Sequence, residues 1–268
     1  MSLVSVDVIN CINSIKNLNE KENKKLIDTL EHLAYALDRE LGNNLISIII
    51  CGSLCAGDFD SQTSDVDILV ITKKALSDND YFLISHMHNG LKMRHAKWGS
   101  RLELSYITQV ELYTLTPPEN PRIYLNGGMT KQEPYGAEWY FEKHSLKNHG
   151  IVMYGTDFDQ DRLEVSSTKL RVAAFQIIME WWKPIIDSGL HKLSDEYLIY
   201  GVLSMCRMIM TIESGEVGSK KEAAGYVLEN DPSKYDNLIL NLVLSRNRDD
   251  FDRSTASEFI KVTVEKYL

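Results

Sequence analysis

Apolar positions in the first forty residues recur with a helical period. Val8, Ile9, Ile12, Ile15 and Leu18 form one stripe, and Leu26, Leu30, Leu33 and Leu37 resume it after the charged stretch 19–25. Spacings of three and four residues put these side chains on one face, so residues 6 to about 41 are expected to be helical. Gly42 and the two asparagines after it are the stop signal. The period then changes. Residues 45–51 are a short, unbroken, isoleucine-rich run, whose length and β-branching predict a buried strand. A polar stretch over 52–64 separates it from a second run, 66–72. Over 101–107, Leu102, Leu104 and Tyr106 alternate with Arg101, Glu103 and Ser105, the pattern of a return strand with one polar face. From about residue 138 the helical period takes over, with helices expected at 138–148, 168–187, 195–213, 220–229, 235–244 and 255–267. The expected architecture is an α/β (α+β) domain over 1–157, then an all-α helical bundle over 158–268, divided near the turn-rich stretch 155–165.

Composition narrows the function classes. With 44% hydrophobic residues in 268 and no low-complexity tract, the chain can bury a sizeable core and is not expected to be disordered. The 29 basic and 38 acidic residues leave a net charge of −9, which argues against non-specific nucleic-acid binding and suits a cationic ligand. No stretch approaches the roughly 18 apolar residues of a membrane span, and the N-terminus lacks a basic segment followed by an apolar one. A cytoplasmic protein is expected, with no membrane partner, and a self-contained second domain lets a monomer suffice. Cys11, Cys51, Cys55 and Cys206 are too few and too scattered for a disulfide framework or a zinc site.

The chemistry concentrates between the two apolar runs. Gly52-Ser53 follows the first, and eleven residues later Asp65-Val66-Asp67 enters the second. Glycine at a strand end lets backbone approach a phosphate with no Cβ in the way, and the Ser53 hydroxyl can donate to phosphate oxygens. Asp65 and Asp67, two apart on a strand, share a face and repel unless a cation neutralises them. Hard oxygen ligands beside a phosphate cradle favour Mg²⁺. Glu103, on the polar face of the third strand, brings a third carboxylate to the same place if its strand is adjacent. A lone Asp-x-Asp is usually a solvated pair; polar residues placed where buried strands carry none point to a site. In the second half, Glu196, Tyr200, Leu203 and Arg207 share one helix face, so an acid and an arginine can serve opposite ends of a ligand. Trp181-Trp182 puts at least one ring in the core, and His86, His88 and His95 read as surface or structural residues.

This Gly-Ser, Asp-x-Asp arrangement resembles the signature of the DNA polymerase β-like nucleotidyltransferase superfamily. More narrowly it is similar to the aminoglycoside 3″/9 adenylyltransferases, which confer streptomycin and spectinomycin resistance. Ser64-Asp65-Val66-Asp67-Ile68-Leu69-Val70 looks like their Ser-Asp-Ile-Asp-Leu-Leu-Val, and Leu102-Glu103-Leu104 stands where their Leu-Glu-Val carries the catalytic base. Arg207, Ser214-Gly215, Lys220, Ala223-Ala224, Pro232 and Tyr235 follow the family's order and spacing. The resemblance implies a nucleotidyltransferase domain with a mixed sheet and transfer of AMP from ATP to a drug hydroxyl, with release of pyrophosphate. It implies Asp65 and Asp67 as ligands of Mg²⁺, two ions in all, and Glu103 as base. Gly52, Ser53, Ser64, Arg207 and Lys220 would then meet the phosphates.

The drug side departs from the pattern. Tyr135-Gly136-Ala137-Glu138-Trp139 matches the family's drug-contacting Phe-Gly-Glu-Trp with one residue extra, which makes Trp139 a substrate candidate. Asp195 and Glu196 lie two residues further from Arg207 than the family's drug-binding Asp, and Arg246 stands where the family has a tyrosine against the nucleotide. These departures favour spectinomycin, with streptomycin next, among cationic aminoglycoside-type ligands. Two rival readings stay open: a nucleotidyltransferase acting on a protein or nucleic acid, and a non-catalytic nucleotide-binding regulator.

Overall fold

The computed structural model describes residues 3–15, 17–244 and 251–268, so Arg246 lies outside the described residues. The chain clusters into two compact units, one of Met1–Tyr135 with Glu142–Glu164 and one of Gly136–Phe141 with Val165–Leu268.

In the first unit the long N-terminal helix is two helices, α1 (Val6–Asn13) and α2 (Glu20–Leu41). The break has a local cause: the Asn19 side chain accepts the Glu22 amide at 3.0 Å and starts a new helix where one continuous helix was expected. Then come β1 (Leu45–Ile50), α3 (Gly52–Ala56), β2 (Val66–Thr72), α4 (Asp78–Arg94) and α5 (Ala96–Gly99). They are followed by β3 (Leu102–Thr108), α6 (Gln109–Leu112), β4 (Arg122–Asn126), β5 (Met129–Glu133), the part of α7 (Glu138–His149) from residue 142 on, and β6 (Ile151–Gly155). The strands form one mixed sheet in the order β5-β4-β3-β2-β1-β6. Among the described residues only β2 and β3 pair in parallel; the return strand comes back through the crossover helix α4 and runs alongside β2.

The strand period of two divides the sheet into a dry face and a site face. Ile48, Ile50, Val66, Ile68, Val70, Leu102, Leu104, Ile123 and Leu125 all enter the core shared with α1, α2 and α4. Their neighbours in sequence, Asp67, Glu103, Ser105, Arg122 and Tyr124, therefore point to the opposite face.

The second unit is helical: α8 (Ser167–Ile177), α9 (Lys183–Ser188), α10 (Asp195–Ser214), α11 (Lys220–Asn230), α12 (Asp236–Leu244) and α13 (Arg253–Lys266). The expected helix over 168–187 is interrupted by a π turn at Ile178–Trp182, one turn before Pro184, which has no amide to give to residue 180. Trp182 is buried and Trp181 exposed. Ile178, Trp182, Leu198, Val202, Met205 and Ile260 belong to the core that α10 crosses. Gly201 allows close packing there, since a Cβ would lie 2.7 Å from Ile260 Cδ1. Among the described residues no helix is long and apolar enough to cross a membrane.

Candidate active site

At the end of β1 the Cys51 amide donates to the Asp67 carbonyl at 3.0 Å, holding the chain against β2. The next residue, Gly52, turns with φ +64°, and a Cβ there would overlap the Asp67 carboxylate, lying 2.7 Å from its Cγ. The glycine is required by the aspartate it touches as well as by its φ. Asp67 is the register partner of Glu103 on the parallel neighbour β3, so the two half-buried carboxylates stand side by side on the site face. Glu103 Oε1 accepts the hydroxyl of Tyr124 from β4, and Tyr124 Oη in turn accepts Asn126 Nδ2 at 2.9 Å.

Asp65 is exposed and lies one residue before β2 rather than within it. The loop that carries it is pinned by Arg101, which donates to the carbonyls of Ser61 (2.7 Å) and Ser64. Burial lowers the Arg101 pKa, and the charges of Asp65 and Asp60 oppose that shift. Ser64 Oγ accepts the Asp60 amide at 2.9 Å, which leaves its proton to donate. The Gly52 amide donates to Ser145 Oγ of α7 at 3.3 Å, and Ser53 sits half-exposed in the first turn of α3.

The field here is negative. Burial first, then the charges of Asp67, Glu142 and Glu103, push the Cys51 thiol well above its ordinary range, and burial takes Cys55 to about 12. Both are inert as nucleophiles and serve packing. The donor set fits Mg²⁺: the Asp67 and Glu103 carboxylates, hard oxygen donors, stand side by side next to a glycine cradle. Among the described residues no group of three or more His, Cys, Asp or Glu is arranged to hold a metal by itself. Mg²⁺ is suited to such a half-site, because it takes one or two carboxylates and completes its shell with substrate phosphates and water. His88 is buried against Tyr106 Oη at 2.6 Å and His95 bonds His32 at 3.0 Å, so these histidines are structural.

In the helical unit, Asp195 and Glu196 occupy the first turn of α10 behind the N-cap Ser194. Asp195 is ion-paired with Arg253 of α13, whereas Glu196 is exposed. On the same face Tyr200 stacks on Trp182 with ring centroids 5.9 Å apart, and Lys220 Nζ stands 5.0 Å from the Tyr200 ring centroid. Arg207 is half-buried further along α10. Trp139, in the first turn of α7, is fully buried.

The sheet thus brings Gly52, Asp67 and Glu103 together and adds Tyr124, Arg101 and Ser145, which the residue pattern did not single out. A signal for Tyr124 exists: Arg122, Tyr124 and Asn126 alternate with Ile123 and Leu125 ahead of Gly127-Gly128, the mark of a hairpin with one polar face.

Known proteins resemble this chain in sequence and in fold. Residues 163–263 match the model of the aminoglycoside adenylyltransferase C-terminal domain. A spectinomycin 9-adenylyltransferase from Enterococcus faecalis is 27% identical over 215 residues, spanning 78% of this chain and 82% of that protein. The crystal structure of a spectinomycin adenylyltransferase from the same organism, solved with ATP and spectinomycin, superposes with a TM-score of 0.68 at 19% identity. It covers 89% of this chain and 98% of that one, and shows the shared fold.

Proposed function

We propose that this chain, a nucleotidyltransferase that belongs to the aminoglycoside adenylyltransferase family, moves AMP from ATP to a hydroxyl of an aminoglycoside-type antibiotic and releases pyrophosphate. Spectinomycin is the first substrate to expect and streptomycin the second. The observation that carries the proposal is the placement of Glu103 beside Asp67 across the parallel pair, with Gly52 closed against the Asp67 carboxylate. A strand pair built only for stability has no use for adjacent carboxylates, which repel.

Asp65 and Asp67 would hold Mg²⁺, two ions in the full site, which when bound offset charge on the triphosphate. Gly52, Ser53 and Ser64 would position phosphate oxygens, and Arg207 and Lys220 would neutralise the β- and γ-phosphates. Glu103 takes the proton of the drug hydroxyl as its oxygen bonds the α-phosphorus and the bond to pyrophosphate breaks. Asp195 and Glu196, in the first turn of α10, would offer the carboxylate that meets a drug ammonium. Trp139 would line the drug site only with its indole uncovered. A cytoplasmic monomer with no nucleic-acid or membrane partner completes the proposal.

The test is pyrophosphate release from Mg²⁺-ATP with spectinomycin, streptomycin and a panel of other aminoglycosides, in wild type and Glu103→Gln. Release with one drug and a loss of about 10²–10⁴-fold in the variant, with ATP binding kept, is expected for removal of a general base. Full turnover in the variant would sink the role of Glu103. Absence of release with every drug, while ATP binds, would move the assignment to a macromolecular substrate or a regulator.

A further inference from the structure

We propose that Tyr124 is a positioning residue for the base, its hydroxyl holding Oε1 of Glu103 and so fixing the carboxylate that takes the substrate proton; this rests on the role proposed above for Glu103. The direction of the hydrogen bond is set by the group behind it. Asn126 Nδ2 can only donate, so Tyr124 Oη accepts from it at 2.9 Å and turns its own proton to the Glu103 carboxylate. Burial, and then the charge of Glu103, raise the Tyr124 pKa, so the phenol keeps that proton at every working pH.

The ring is fixed from the other side. The Arg122 guanidinium lies 4.8 Å from the Tyr124 ring centroid and Lys131 Nζ 5.1 Å, and cations over a phenol draw density from it and strengthen its donor. Arg122 is buried and held in turn by Ser105 Oγ (3.1 Å), the Pro134 carbonyl (2.9 Å) and the Glu133 carboxylate (3.7 Å), with its guanidinium 3.6 Å from the Tyr135 ring centroid. These contacts run through Tyr124 to the Glu103 carboxylate and fix its rotamer.

Tyr124→Phe removes only the hydroxyl. In assays of pyrophosphate release from Mg²⁺-ATP and drug, kcat should fall about 5- to 20-fold with KM for both substrates within about 2-fold, as for one lost hydrogen bond to a charged group. The Tyr124→Phe change should add nothing on top of Glu103→Gln, because it acts through that carboxylate. Asn126→Ala, which keeps the ring and frees the hydroxyl, should give a smaller fall in kcat in the same pattern and serves if Tyr124→Phe does not fold. An unchanged kcat overturns the proposal, as does a loss carried by KM, which would make Tyr124 a binding residue. Full additivity with Glu103→Gln also overturns it and marks Tyr124 as packing only. A fully active Glu103→Gln would instead overturn the base assignment on which the proposal rests.

Discussion

Gly52 turns the chain at φ +64° directly against the Asp67 side chain, and Gly57, five residues on, turns at φ +83° with nothing within 4 Å of where a Cβ would stand. The two positions separate backbone strain from steric displacement. Alanine at either residue is forced into the left-handed region at a cost of roughly 1–2 kcal/mol, but only at position 52 must the carboxylate below also move. Gly57→Ala should therefore lower the melting temperature and keep Mg²⁺-ATP affinity, while Gly52→Ala should lower both, with affinity down at least about tenfold if one charged ligand is displaced. Melting curves and nucleotide titrations of the two variants check this; equal affinities would remove Gly52 from the nucleotide site. Gly52, Asp67 and Glu103 are legible without a fold because strand parity and residue type together announce them. Tyr124 is legible only as part of a hairpin's polar face and Arg101 not at all as a site residue, because their partners depend on which strand lies beside β3 and on how the loop before β2 folds back.

At the scale of elements, α11 opens on a capping box: Ser219 Oγ accepts the Glu222 amide at 3.2 Å and Glu222 Oε2 accepts the Ser219 amide at 2.8 Å. The positive end of the helix is already met by the Glu222 carboxylate, so a phosphate role for Lys220 rests on its ammonium and not on the helix end. Ser219→Ala should cost about 1 kcal/mol of stability and leave Mg²⁺-ATP affinity unchanged, whereas Lys220→Ala should weaken affinity with stability unchanged. Denaturant midpoints and nucleotide titrations distinguish them, and equal weakening by both would restore the helix end to the site. The elements that escaped the residue pattern share a physical reason. In α4 the buried face includes His88 beside Ile84, Met87 and Leu91, which blurs its apolar stripe. β6 is a five-residue run inside otherwise helical sequence, and it becomes a strand by pairing with β1, about a hundred residues earlier. Short strands take their identity from such non-local partners.

For the whole molecule, the change from strand to helical pattern marks two units, yet 136–141 cluster with the helical unit while 142–164 return to the sheet. No composition shift announces that return, because it is made by the pairing of β6 and the packing of one helix segment. The first unit's core also carries a pH dependence. His88 is buried, and burial pushes its pKa from 6.5 down to about 3. His95 shifts down as well, from burial and then the neighbouring His32. Between the unfolded value of 6.5 and the folded value of about 3, the unfolded chain binds a proton that the folded chain refuses. Stability is therefore full above 6.5 and falls as pH is lowered, with a slope from His88 approaching about 1.4 kcal/mol per pH unit. The carboxylate of Glu22, held down to about 2 by hydrogen bonds from Lys25 and Lys97, adds its loss only below its ordinary value of 4.5 and through a solvent-screened contact. Urea unfolding at pH 7, 6 and 5 isolates the histidine range. His88→Phe loses the bond to Tyr106 Oη and should be less stable at pH 7, but its stability should fall less steeply toward pH 5 than that of the wild type. Parallel curves for the two proteins would mean that His88 is protonated in the folded core.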